Sequence, residues 1–135
     1  MKRSNRKLTA TRLETWAMPG VPDVLVCDEL GRFHMIELKH TNSNAVELRP
    51  HQVSFLTTHA HASCWILVRQ QKKATDVPVV SLFRAVQAVE LRMDGLTATA
   101  PVLSSPEPVQ WGDFFALMFP LPTDRVGDPT PTEES

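Results

Sequence analysis

Apolar and polar residues alternate between positions 23 and 39 in a way that predicts a β-hairpin. From Pro50 onward the apolar positions follow helical spacing, and proline suits the first position of a helix because no backbone N–H is needed there. In full, the predicted elements are a short basic helix at 4–13, strands at 23–27, 32–39, 64–69 and 77–83, and helices at 50–62, 84–92 and 111–119. This interleaving of strands and helices predicts an α/β fold with a central mixed sheet flanked by helices.

The turn of the predicted hairpin fixes which residues face each other. Residues 28–31 have turn composition, and Gly31 can supply the positive φ that a three-residue hairpin loop needs. With a loop at residues 29–31, paired residue numbers sum to 60, which places Asp23 opposite Glu37. An additional residue at a bulge would shift this register by one position.

The second predicted strand contains the candidate chemistry. Side chains alternate between the faces of a strand, so Glu37 and Lys39 are expected on the same face, with Ile36 and Leu38 on the other face in the core. Directly opposed residues have Cβ atoms about 4.5 to 5.5 Å apart, close enough for the carboxylates of Asp23 and Glu37 to share one divalent cation. The alternative is that Glu37 and Lys39 are ordinary exposed residues of an amphipathic strand.

Length and charge refine this prediction without changing it. The chain has 135 residues, which fits a single domain, and a net charge of −1. That near-neutral total is a cancellation, because residues 1–12 are basic and the last twelve residues are acidic. We therefore predict one domain over residues 1–122 with a basic segment at 1–12, and a disordered acidic, proline-rich tail at 123–135.

Several classes of protein are disfavoured by the sequence. Cys27 and Cys64 lie in apolar runs and are too few for a disulfide framework or a four-cysteine zinc site. His59 and His61 do not share a helix face, so zinc chemistry is not favoured. The sequence has no secretory signal, no stretch of the ~20 apolar residues that cross a membrane and no phosphate-binding glycine motif. It favours a cytoplasmic protein with no membrane association and no nucleotide cofactor.

Four ordered motifs resemble those of the PD-(D/E)XK nuclease superfamily, most closely its virus-type replication-repair nucleases (VRR-NUC) and small phage Holliday-junction resolvases. The motifs are Gly-Val-Pro-Asp at 20–23, Ile-Glu-Leu-Lys at 36–39, Leu-Arg-Pro-His-Gln at 48–52 and Trp-Ile-Leu-Val at 65–68. The resemblance covers about residues 12–70. It implies a small restriction-endonuclease-like fold.

The resemblance also implies roles for particular residues. Asp23, Glu37 and the backbone carbonyl of Leu38 would bind Mg²⁺, with Mn²⁺ able to substitute. Lys39 would position or activate the attacking water, and Gln52 would lie at the edge of the site. Glu14 resembles an additional acid that contacts the metal or its water, although it could equally be a solvated carboxylate at a helix end.

The implied activity is metal-dependent hydrolysis of DNA, by an endonuclease selective for branched or junction DNA in phage replication, recombination or repair. A homodimer is expected, and the apolar segment 111–119 could contribute to its interface. Contacts to DNA phosphates are predicted for basic residues, namely Lys2, Arg3, Arg6, Lys7, Arg12 and Arg49. Two alternatives are a noncatalytic nucleic-acid-binding or accessory subunit with a nuclease-like fold, and a DNA-end exonuclease.

Overall fold

The computed structural model describes residues 6–13 and 20–122 of the chain. The strands are β1 (Thr9–Arg12), β2 (Val24–Cys27), β3 (Phe33–Thr41), β4 (Cys64–Gln70), β5 (Val79–Arg84) and β6 (Leu103–Pro106). The helices are α1 (Pro50–Thr58), α2 (Ala88–Asp94) and α3 (Trp111–Met118), and single 3-10 turns at Ala85–Gln87 and Gly95–Thr97 flank α2. The fold class is α/β, as predicted.

All six strands belong to one mixed sheet, whose spatial order β1-β2-β3-β4-β5-β6 follows the chain. The β3–β4 pair is parallel, and every other neighbouring pair is antiparallel. Parallel strands need a crossover connection, and α1 lies in the segment that makes it. The chain that leaves the end of β3 leads directly to α1.

Apolar side chains pack on both faces of the sheet. On one face, Leu56 of α1 and Leu91 of α2 join a buried cluster with Ile66 of β4. On the other face, Phe114 of α3 lies in a second cluster with Ile36 of β3. Burial of these side chains removes their apolar surface from water and holds the helices against the sheet.

The predicted hairpin is confirmed in detail. The pairs Val24–Ile36 and Cys27–Phe33 both sum to 60. Gly31 has a φ of 79°, and its N–H donates to the Asp28 carbonyl oxygen at 2.9 Å. The turn geometry that its glycine favours therefore sets the register on which the candidate site depends.

Other predicted elements are confirmed with changed boundaries. The helix that begins at Pro50 ends at Thr58, before the predicted end at residue 62, and the following residues form turns. The strand predicted at 77–83 is β5, and the helix predicted at 84–92 is a 3-10 turn followed by α2. The strand predicted at 64–69 and the helix predicted at 111–119 are β4 and α3.

At the sheet edges one prediction is wrong and one strand has no counterpart in the predicted elements. The segment predicted as a basic helix at 4–13 instead includes strand β1. Its residues pair with β2 from Thr9–Cys27 to Arg12–Val24. Strand β6 was not predicted, because Leu103–Pro106 has neither the length nor the alternation of a typical strand. Pairing with a neighbouring strand overrides local preference at both edges.

Some predictions concern residues outside the described ranges. The tail at 123–135, together with Lys2, Arg3 and Glu14, falls there. Within residues 6–13 and 20–122, no helix has the length and apolar character needed to cross a bilayer.

Candidate functional site

The candidate site lies on the face of β3 that is turned towards α1. Glu37 is buried on this face with a relative exposure of 1%, and Lys39 follows two residues later with its side chain 18% exposed. The predicted alternation is therefore confirmed for this pair. It places an acid and a base beside each other at 3.6 Å between Lys39 Nζ and Glu37 Oε2.

The structure corrects the prediction for Leu38. Leu38 was expected in the core with Ile36, but it is 41% exposed, whereas Ile36 is buried. The apolar cluster under α3 includes Ile36 and does not include Leu38. The apolar packing on the α3 face therefore does not cover Leu38.

Asp23 immediately precedes β2 and reaches across to β3. Its Oδ2 accepts a hydrogen bond from the Leu38 N–H at 3.0 Å. Because Val24 pairs with Ile36, Asp23 lies beside Glu37, as the sequence predicts. Gly20, three residues before Asp23, lies against the start of α1. A Cβ atom at this position would lie 2.3 Å from the His51 carbonyl oxygen.

Gln52, on the first turn of α1, connects the acid and the base of β3. Its Nε2 donates to Glu37 Oε2 at 3.0 Å, and its Oε1 accepts from Lys39 Nζ at 3.0 Å. The same Oε1 accepts from the Arg49 backbone N–H at 2.9 Å, which restrains the amide at the start of the helix. One side chain therefore fixes the orientation of both Glu37 and Lys39.

The electrostatics of Glu37 are unusual for a carboxyl group. Burial and, to a smaller extent, the negative charge of Asp23 raise its pKa, Lys39 partly offsets both effects, and the resulting pKa is about 7. Glu37 Oε1 is buried and has no hydrogen-bond partner among residues 6–13 and 20–122. A buried, unsatisfied oxygen is costly unless a proton, water or cation serves it.

This donor set fits a hard divalent cation. Carboxylate and carbonyl oxygens are the ligands that Mg²⁺ prefers, and Asp23, Glu37 and the Leu38 carbonyl are the candidates. Across the described parts of the chain, no cluster of three or more His, Cys, Asp or Glu residues is arranged to hold a metal. The fit therefore rests on the carboxylate pair and the unpartnered Glu37 Oε1.

The predicted DNA-contacting residues fall into different environments. Lys7, Arg12 and Arg49 are exposed. Arg6 instead contacts the protein: its guanidinium binds Glu29 through two 2.8 Å hydrogen bonds and donates to the Phe119 carbonyl oxygen at 2.7 Å. Its side chain is only 13% exposed, so we assign Arg6 a structural role.

A buried polar network behind the hairpin was not predicted. Asp28 Oδ2 lies 2.9 Å from His34 Nε2, and His34 Nδ1 contacts Ser63 Oγ. Burial alone would raise the pKa of Asp28, but hydrogen bonds from His34 and Arg32 outweigh it and hold that pKa well below its usual range. These bonds stabilise the turn, and only the short spacing of Asp28 and His34 around it hinted at them in the sequence.

Two cavities adjoin the end of β3. A groove of about 690 Å³ is lined by residues 40–43 and 45–47, with Arg69 and Gln71. An apolar cleft of about 280 Å³ is lined by Leu38, Leu67, Val80 and Trp111, with Lys39, His40, Arg69 and Glu107 at its polar side. The cleft combines residues from distant segments, so no local sequence pattern could have predicted it.

The chain matches no protein-family model, no curated protein sequence and no solved structure. The resemblance to PD-(D/E)XK nucleases therefore stays a prediction based on the four motifs.

Proposed function

We propose that the protein is a metal-dependent nuclease that hydrolyses phosphodiester bonds of DNA. The observation that carries this proposal is Glu37: a buried carboxyl beside Asp23, with one oxygen that no described residue hydrogen-bonds. A carboxylate pair of this kind has a clear use in holding a divalent cation, and none in forming a stable core.

Mg²⁺ is the proposed cofactor, and Asp23, Glu37 and the Leu38 carbonyl would hold it. The chemistry that the ion supplies when bound is polarisation of a phosphate oxygen and acidification of water. Mn²⁺ is expected to substitute, because it accepts the same oxygen ligands.

The roles of the protein's own groups follow from their hydrogen bonds. Lys39 lies at the exposed side of the carboxylates, where its ammonium can orient water and offset negative charge that develops on the phosphate. Gln52 holds Lys39 and Glu37 in place through one amide. A restrained acid and base next to each other suit proton transfer at a fixed position.

The finer parts of the proposal concern the substrate and the assembly. We infer that the enzyme cuts branched or junction DNA internally, acts as a homodimer and works in the cytoplasm. The exposed residues Lys7, Arg12 and Arg49 support contact with DNA phosphates, which basic side chains bind without regard to base sequence.

A cleavage assay tests the activity. Supercoiled plasmid, linear duplex, single strand and four-way junction are incubated with Mg²⁺, Mn²⁺ or EDTA and with wild type, Glu37→Gln or Lys39→Met. We expect cleavage that needs metal and falls at least about 100-fold in both variants. Glu47→Gln is the matched control, because this exposed acid follows β3 in sequence and should leave the rate unchanged.

The outcomes separate the proposal from its alternatives. Equal cleavage by wild type and both variants would reject this site. DNA binding without cleavage by wild type would favour the noncatalytic subunit, and loss of linear duplex from its ends with intact plasmid would favour the exonuclease.

A further inference from the structure

The apolar cleft beside Leu38 has features of a ligand site. Its lining side chains are Leu38, Leu67, Val80 and Trp111, and its volume is about 280 Å³. Leu38 pairs with Leu67 across β3 and β4, so two leucines form one wall. Leu38 is 41% exposed there, although it lies within a central strand.

Charged side chains surround this apolar lining unevenly. The ammonium of Lys39 lies on the opposite face, at Gln52 and Glu37, so the basic side chains at the cleft are those of His40 and Arg69, with one acid, Glu107. Arg69 is held by Glu107 through hydrogen bonds of 2.8 and 3.2 Å, which links β4 to the segment before α3. An apolar slot with basic side chains at one side complements a flat, apolar group that is attached to an anion.

The position of the cleft relates it to the carboxylates. Glu37 and Leu38 are consecutive residues of β3, so their side chains lie on opposite faces of one strand. Lys39 contacts Gln52 near Glu37 and also lines the cleft. A ligand that crosses the end of β3 can therefore lie against Lys39, beside the carboxylates, and against the cleft together.

We propose that the cleft between Leu38 and Trp111 receives one unpaired nucleobase of the DNA strand whose phosphate lies at the carboxylates. Trp111 provides an aromatic ring for stacking, and His40 and Arg69 lie at the polar side of the cleft, where the sugar-phosphate backbone would pass. This inference rests on the proposed nuclease function and adds its substrate class. A base that is stacked and paired inside a duplex cannot enter a cleft in the protein, so the substrate must be single-stranded or locally unpaired.

The test compares two duplexes with identical backbone charge. Each carries one bulged nucleotide, which is an adenosine in one duplex and an abasic residue in the other. Binding to wild type is measured by fluorescence anisotropy in EDTA, so that no hydrolysis occurs. We expect roughly tenfold tighter binding of the bulged adenosine.

Variants locate the preference in the cleft. Trp111→Leu should remove the difference between the duplexes, whereas Trp111→Phe should retain most of it because the ring still stacks. Val86→Ala is the control: this valine is 62% exposed next to α2, on the other side of the sheet. A 2-aminopurine placed in the bulge should lose fluorescence on binding wild type and keep it with Trp111→Leu.

The result with wild type decides the inference even if Trp111→Leu does not fold. Equal affinity for the two duplexes would overturn it, and intact Mg²⁺-dependent cleavage in the same preparation would leave the proposed function standing. If wild type binds the bulged adenosine more tightly but cleaves no DNA, the result would support the base-binding cleft and reject the proposed nuclease activity.

Discussion

Glu37 controls the charge balance of the candidate site. Burial, together with the nearby negative charge of Asp23, raises its pKa to about 7. In the metal-free protein the carboxyl therefore binds a proton at pH values where an exposed glutamate has lost it. A proton and a cation compete for the same oxygens, so metal binding should tighten as pH rises.

Replacing Glu37 with glutamine should change how stability depends on pH. A carboxyl with a raised pKa contributes stability below its unfolded-state pKa of about 4.5, and this contribution disappears as pH rises through about 7. In EDTA, Glu37→Gln should become more stable relative to wild type between pH 5 and pH 8, by up to about 3 kcal/mol. Urea unfolding at several pH values measures this difference.

Magnesium provides the matched control for that experiment. At pH 8, Mg²⁺ should stabilise wild type and leave Glu37→Gln nearly unaffected, because only wild type offers the paired carboxylates. A stability difference that is the same at pH 5 and pH 8 would contradict the raised pKa of Glu37.

The contacts among the site residues could be predicted from sequence to different extents. The approach of Asp23 to β3 follows from the turn at Gly31 and the alternation of the hairpin, both of which are local. The near-complete burial of Glu37 depends on α1, which packs over that face from a later part of the chain. Sequence patterns assign residues to faces but do not show how deeply a neighbouring element covers them.

At the scale of elements, two glycines with positive φ have different structural demands. Gly20 has a φ of 93° and approaches the His51 carbonyl oxygen so closely that a Cβ would lie 2.3 Å from it. Gly31 has a φ of 79° but open space around the position of a Cβ. Gly31→Ala therefore tests backbone strain alone, and Gly20→Ala adds a steric conflict.

Gly20→Ala should be the more damaging substitution. We expect Gly31→Ala to lower the free energy of unfolding by about 1 kcal/mol, and Gly20→Ala by about 3 kcal/mol. Only Gly20→Ala should also weaken Mg²⁺ binding, by roughly tenfold, because it displaces the segment that leads to Asp23. Urea unfolding and calorimetric Mg²⁺ titration check this, and equal effects of the two variants would contradict it.

Predicting the elements succeeded where pairing is local and failed at the sheet edges. The β2–β3 hairpin and the β3-α1-β4 crossover carry their own turn and helix signals. Strand β1 has the composition of a basic helix, and its strand conformation depends on hydrogen bonds to β2 that lie more than ten residues away. Local preferences cannot reveal such a partner.

At the scale of the whole molecule, Arg6 connects the hairpin turn to the end of α3 through hydrogen bonds. Arg6 binds Glu29 of the turn and the carbonyl oxygens of Phe115 and Phe119. This ion pair lowers the pKa of Glu29 to about 2. Leu8, two residues after Arg6, packs against the cluster under α3, so the start of the described chain belongs to the fold.

Arg6 and Arg12 should therefore respond differently to the same substitution. Arg6→Gln should lower the thermal midpoint by about 5 °C because Glu29 and the carbonyl oxygens of Phe115 and Phe119 lose a donor, with little change in the salt dependence of DNA binding. Arg12→Gln should leave the midpoint unchanged and reduce the slope of log affinity against log salt concentration by about 1. Differential scanning fluorimetry and anisotropy titrations measure the two effects, and the reverse pattern would refute these assignments.

The agreement between strand order and chain order has a consequence for biosynthesis. Each strand pairs only with strands adjacent to it in the sequence. Asp23, Glu37, Lys39 and Gln52 lie within thirty consecutive positions. Strand β4, which pairs with β3, ends at Gln70. Because a chain emerges from the ribosome from its N-terminal end, we expect the strands around these residues to begin pairing before α3 has been translated.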